Sequence, residues 1–182
     1  MKVTDLKLLF EKITFDDFKV TDDSISYKNS LVYGEVSIYD IGNIISSQKI
    51  NFDSMLDVGS GCGKLTIYIA LTCNINSDGI EIDKNRFIKS EKLLESYDLY
   101  DKVNFMNGSF EQIYFGNYDL LYCCNLLFDQ DDNNSLFNKI KCEFTGIVIL
   151  YIFDKILLPY LTSQHIVKTS WSNEVTIFLF QL

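Results

Sequence analysis

Apolar positions along the chain change their spacing repeatedly, and each change predicts a switch between helix and strand. Leu6, Leu9, Phe10 and Ile13 recur at i, i+3, i+4 and i+7 behind Thr4 and Asp5, either of which can cap a first helix. Residues 14–31 mix Phe15, Phe18 and Tyr27 with acids and serines and predict an irregular connection, so residues 1–31 form an N-terminal lid ahead of a domain spanning 32–182. Ile38, Ile41 and Ile45 share a helical face that leads to a buried strand at Met55–Val58. Leu65, Tyr68 and Ile69 return to helical spacing, Gly79–Ile82 is a short strand, and a helix runs from Lys84 to about Tyr97. Val103–Met106, Tyr118–Cys124 and Gly146–Phe153 are strands, with a helix near Asn133–Lys141 before the last. His165–Trp171 and Glu174–Gln181, joined at Ser172 and Asn173, suit an antiparallel hairpin. The alternation predicts one compact α/β domain: a mostly parallel seven-stranded sheet closed by that hairpin, with helices on both faces.

The strand at Met55–Val58 runs straight into alternating glycines, MLDVGSGCGK, which is how an α/β domain opens a cofactor site. A phosphate-cradling loop needs four residues between its first glycine and Gly-Lys-Ser/Thr. Here Gly59 and Gly63 enclose three, and Leu65 follows Lys64. The dinucleotide fingerprint fails too, because Lys64 stands where its third glycine belongs. What remains, Asp57 heading a G-x-G-x-G run, resembles motif I of the class I methyltransferases that bind S-adenosylmethionine. Glu81 ends the next strand, and a carboxylate about 20 residues past a glycine loop accepts hydrogen bonds from ribose hydroxyls. Asp83 close behind reads as the cap of the following helix.

Composition narrows the partners. At 182 residues with 47% apolar content, the chain can build a single core without metals or disulfides. Cys62, Cys73, Cys123, Cys124 and Cys142 show no CxxC pairing and are expected to be reduced, buried thiols, and His165 stands alone as a structural or surface residue, so no metal site is expected. Neither a signal peptide nor a membrane-length apolar run is evident, which gives a cytoplasmic or nuclear expectation. A net charge of -9 argues against nucleic acid and favours a basic substrate, because phosphate neutralisation supplies most non-specific nucleic-acid affinity.

From about Val32 to Leu182 the residues resemble the non-SET histone lysine methyltransferases, the disruptor-of-telomeric-silencing family. VYGEVS looks like that family's cofactor loop, DVGSGCGK its motif I, GIE its ribose-binding strand end, NGSF its adenine segment, CNLLF its substrate lip, and TSW with the last strand its terminal hairpin. The resemblance implies a class I methyltransferase fold, S-adenosylmethionine as cofactor and lysine of a protein as acceptor. It implies that Tyr33, Gly34, Glu35 and Val36 cover the cofactor's methionine end, and that Asp57, Gly59, Ser60, Gly61, Gly63 and Lys64 form its floor. Glu81 would hold the ribose, Ser109 and Phe110 the adenine, and Asn125, Phe128, Trp171 and Tyr33 the channel where the amine meets the methyl group. Val36 stands where the family has a hydroxyl residue, Ser109 where it has an acid, and Ile177 or Phe178 where it has a tyrosine; its basic extension has no counterpart up to Leu182. The competing readings are a methyltransferase acting on a small molecule or RNA, and a non-catalytic module that keeps the cofactor fold.

Overall fold

Strand β1 (Ser54–Val58) buries Met55 and Leu56 completely, one on each face, and a strand with no wet face must lie inside a sheet covered on both sides. The computed structural model describes residues 36–48, 52–97 and 99–182 and places β1 at that centre. The expected lid at 1–31, and Tyr33, Gly34 and Glu35, lie outside the described residues.

The chain enters through α1 (Ile38–Ser47), whose cap Ser37 accepts the Asp40 N–H at 3.2 Å, and passes through β1 into α2 (Lys64–Cys73). It continues through β2 (Asn76–Glu81), α3 (Lys84–Tyr97) and β3 (Val103–Asn107), then returns to the other side of β1 as β4 (Leu120–Cys123). After α4 (Gln130–Glu143) come β5 (Ile147–Leu150), β6 (Leu161–Val167) and β7 (Val175–Gln181). The seven strands lie in the order β3-β2-β1-β4-β5-β7-β6, parallel except where β7 pairs antiparallel with β5 and β6. The winding therefore reverses between β1 and β4, and the crevice outside their carboxyl ends is where such sheets bind ligands.

Alternation along the strands builds two cores. Met55, Leu120, Tyr122, Ile147 and Ile149 pack with Ile41, Ile45, Leu65 and Ile69 of α1 and α2. Leu56, Leu121, Val148 and Leu150 face the opposite way onto Leu136, Phe137 and Ile140 of α4. No helix among the described residues is long and apolar enough to cross a membrane.

Several boundaries differ from the sequence expectation, each for a local reason. Strand β2 begins at Asn76 because its polar residues are employed: the Ser77 N–H donates to Lys102 O, and Asp78 accepts the Tyr118 hydroxyl at 2.8 Å. Strand β5 stops at Leu150 because a side-chain amide, not a strand, takes the next two N–H groups. Strand β6 lies four residues earlier than expected, since Thr169 and Ser172 close a turn through Ser172 N–H to Thr169 Oγ1 and Thr169 N–H to Ser172 O. Trp171 therefore sits in the β6–β7 turn and not in a strand. The five cysteines are free thiols, but only Cys62 and Cys123 are fully buried; Cys142 is exposed, because it falls on the solvent side of α4.

Gly79 is fixed by close approach, since an added Cβ would press on the Phe105 ring and on Ser60 Cβ. Gly79→Ala is expected to cost about 1–3 kcal/mol in chemical denaturation, the range for overpacking a filled core; an unchanged midpoint would refute that contact.

Candidate functional site

At the end of β1 the backbone turns through Gly59, Gly61 and Gly63 at φ of +77°, +59° and +82°, a left-handed region that side-chain-bearing residues avoid. The Gly59 and Ser60 N–H groups both donate to Ile80 O, at 2.9 and 3.1 Å, so the loop is pinned to the neighbouring strand. The glycines serve different ends. A Cβ on Gly63 would fall inside the Phe105 ring, whereas one on Gly59 would meet nothing within 4 Å. Gly63 is thus needed for packing at the start of α2, and Gly59 presents an open backbone face to the crevice. Ser60 Oγ is buried without a hydrogen-bond partner, Lys64 begins α2, and burial pushes the Cys62 thiol up to about 12.

Glu81 closes the other side of that crevice. Its Oε2 accepts the Gly61 N–H and its Oε1 the Asp83 N–H, each at 2.8 Å. Burial raises its pKa, opposed by the Asp83 N–H, by Arg86 and by the Gly61 N–H. A carboxylate has about four lone-pair sites, so two remain for a ligand. Asp83 does the capping work, with Oδ1 accepting the Arg86 N–H at 2.9 Å. Asn107 Nδ2 donates to Glu81 O and to Ile82 O, holding an isoleucine 63% exposed at the strand tip. Sequence reasoning passed over Ile82; the available signal was an apolar residue placed just past the strand's terminal acid.

Asp57, heading the loop, is only 2% exposed and accepts one bond, from Thr66 Oγ1 at 2.7 Å. Burial pushes its carboxyl from 3.8 up to about 7, against the Thr66 bond and aided by Glu81.

The remaining expected site residues fall into three groups. Phe110 and Phe128 stack at 6.0 Å and 14°, with Phe115 at 6.4 Å from Phe110, so the segments after β3 and β4 share one aromatic ledge. Ser109 spends its hydroxyl capping the short turn at Phe110–Gln112, by accepting the Glu111 N–H at 3.3 Å.

Asn125 requires correction: it is wholly buried, and its amide is consumed within the protein. Oδ1 accepts the Tyr151 and Ile152 N–H groups at 3.0 and 3.1 Å, while Nδ2 donates to Ile152 O at 2.9 Å and Asn133 Oδ1 at 2.6 Å. Four bonds leave nothing with which to orient an amine, so Asn125 splices the ends of β4 and β5 and shapes the lip indirectly.

Trp171 is 49% exposed in the β6–β7 turn, at the same carboxyl edge but with β5 and β7 between it and β4. That turn is tied to the start of α1: Val36 bridges Thr169, the Ser37 N–H donates to Lys168 O at 2.8 Å, and the Lys168 N–H donates to Asp40 Oδ2 at 2.9 Å. His165 Nε2 lies 3.0 Å from Ser163 Oγ on edge strand β6, and Ile177 and Phe178 supply no hydroxyl, being packed in the sheet. No group of three or more His, Cys, Asp or Glu among the described residues is placed to hold a metal.

Because the folded state holds the Asp57 proton more tightly than the unfolded chain, stability should fall as pH rises from 3.8 to about 7 and level off above. The whole change is on the order of 4 kcal/mol. Asp57→Asn, which still accepts the Thr66 bond, should flatten this slope in thermal melts taken across that window. Parallel curves for the two proteins would show that the carboxyl is not protonated when folded.

No curated protein sequence matches the chain. Among solved structures, an RNA methyltransferase from Salinibacter ruber in complex with S-adenosyl-L-homocysteine is similar at a TM-score of 0.63 and 18% identity, over 79% of this chain and 88% of its own. The magnesium protoporphyrin IX methyltransferase of Synechocystis with bound S-adenosylmethionine has a TM-score of 0.64 and 14% identity, over 80% and 78%. The Bacillus subtilis M1A22 tRNA methyltransferase reaches 0.63 and 16%, over 79% and 64%. At such identities the likeness establishes the fold, that of the class I methyltransferases. The family model described as histone methylation protein DOT1 matches residues 20–146, well over half of the sequence, and this chain belongs to that family.

Proposed function

We propose that this protein transfers a methyl group from S-adenosylmethionine to a lysine amine of a protein substrate, in the cytoplasm or nucleus. The observation that carries the reading is the bond from Gly61 N–H to Glu81 Oε2, which joins the glycine loop and the strand-end acid into one cradle. The residues fit the cofactor: Gly59 offers open backbone, Glu81 keeps lone pairs for ribose hydroxyls, and exposed Ile82 offers an apolar face to a purine. The Phe110–Phe128 ledge adds an aromatic surface where the segments after β3 and β4 meet. S-adenosylmethionine supplies a methyl group already activated by a positive sulfonium.

What the protein must add is alignment and exclusion of water, so no strong general base is required. Phe128 and Trp171, with Tyr33 from the family's cofactor loop, are the aromatic surfaces suited to a lysine stem and its ammonium. Membership of a histone methylation family and the net charge of -9 favour a basic protein over RNA as acceptor.

Isothermal titration should detect S-adenosylmethionine binding, and Glu81→Ala should weaken it roughly 10- to 100-fold, the loss of charged hydrogen bonds worth about 1.5–3 kcal/mol. Radiolabelled methyl groups should then appear on core histones or other basic proteins and not on RNA or metabolites. Label confined to RNA or to small molecules would overturn the acceptor assignment, and absence of cofactor binding the whole reading.

A further inference from the structure

Asp57 is a buried acid with too few partners for a resident negative charge. Its carboxyl accepts a bond from a neutral hydroxyl, Thr66 Oγ1 on α2. Among the described residues, the other groups that interact electrostatically with it are an acid, two tyrosines and two cysteines. Glu81 at the end of β2 acts on it as a like charge. Tyr122 and Cys123 on β4, Cys124 just beyond and Tyr151 past β5 lie close enough for a charge on Asp57 to raise them, and burial leaves each of them protonated. The two tyrosines spend their hydroxyls on each other at 2.9 Å. Glu81 differs, for two backbone N–H groups bond its oxygens and Arg86 favours its charged form. Of the two carboxyls beneath the glycine loop, Asp57 is therefore the one whose surroundings favour the protonated form.

S-adenosylmethionine carries a sulfonium, an α-ammonium and an α-carboxylate, and so brings a net charge of plus one to the crevice above the glycine loop. A cation brought close to a buried neutral acid favours the carboxylate form. We propose that cofactor binding expels the proton of the Asp57 carboxyl to solvent, so that the floor of the crevice trades a bound proton for a bound cation. The O–H bond of the carboxyl breaks, its electron pair stays on Asp57 as a negative charge beneath the glycine loop, and the proton passes to buffer. The net charge of the buried floor is thereby conserved, which spares the site the cost of enclosing an uncompensated ion. Cofactor affinity then responds to pH as a property of this site: it rises about tenfold per pH unit while free Asp57 is protonated and levels off above.

This inference rests on the cofactor assignment above, and one experiment separates the two. S-adenosylmethionine is titrated into the full chain at about pH 6 in phosphate, whose ionisation enthalpy is small, and in imidazole, whose ionisation enthalpy is large. Release of close to one proton per cofactor predicts a more exothermic signal in imidazole, a difference that vanishes above about pH 8 and is absent in Asp57→Asn. Equal enthalpies in the two buffers with intact binding overturn the proton exchange and leave the cofactor assignment standing. A difference that persists in Asp57→Asn assigns the proton elsewhere and also overturns it. No binding in either buffer removes both.

Discussion

The hydrogen bond from the Gly61 N–H to Glu81 Oε2 is the constraint on which the rest of the site depends. It spans two crossover-linked strands, β1 and β2, at the edge where the sheet stops supplying its own ladder partners. A buried carboxylate left without donors would be expelled or protonated, and a loop with three left-handed glycines has little intrinsic preference for one shape. Each cures the other's defect. The loop N–H stabilises the acid, and the acid selects one loop conformation, with the Ile80 carbonyl gripping the two residues before it.

The same economy recurs along the carboxyl edge, where side chains take over from strands. Asn125 substitutes for a continuing neighbour by serving both N–H groups and one carbonyl beyond β5, and Asn133 completes it by donating to Phe128 O and Asp129 O. At the amino edge, Asp119 accepts the Asp53 and Ser54 N–H groups and the Ser54 hydroxyl, and those bonds hold its carboxyl below the usual range. The sheet is thus stapled at both ends by short polar side chains, which frees its middle to be apolar on both faces.

These differences explain which features were legible in the sequence. The glycine loop and Glu81 could be read directly, because backbone handedness and a separation of 20 residues are properties of the chain itself. The helix cap at Asp83 is likewise local, whereas those at Ser37 and Asp129 were not read. Asn125 was misread because its partners lie 26 and 27 residues away, and an asparagine at a strand tip looks the same whether it faces a substrate or a buried backbone. The stacking of Phe110 on Phe128 is also a tertiary fact, invisible to periodicity. The limits of β6 were set by a turn whose bonds come from threonine and serine, residues with weak turn signals compared with glycine or proline.

The tie between the start of α1 and the β6–β7 turn joins Asp40 to Lys168, residues 128 positions apart. Strand β7, inserted between β5 and β6, is also the last to be synthesised. A nascent chain can therefore wind β1 to β5 on the ribosome and pack the entrance helix through Ile41 and Ile45, yet the start of that helix lacks its hydrogen-bonded tie until the β6–β7 hairpin emerges. Such long-range closure slows assembly and leaves the outer edge of β5 without its partner in the interim.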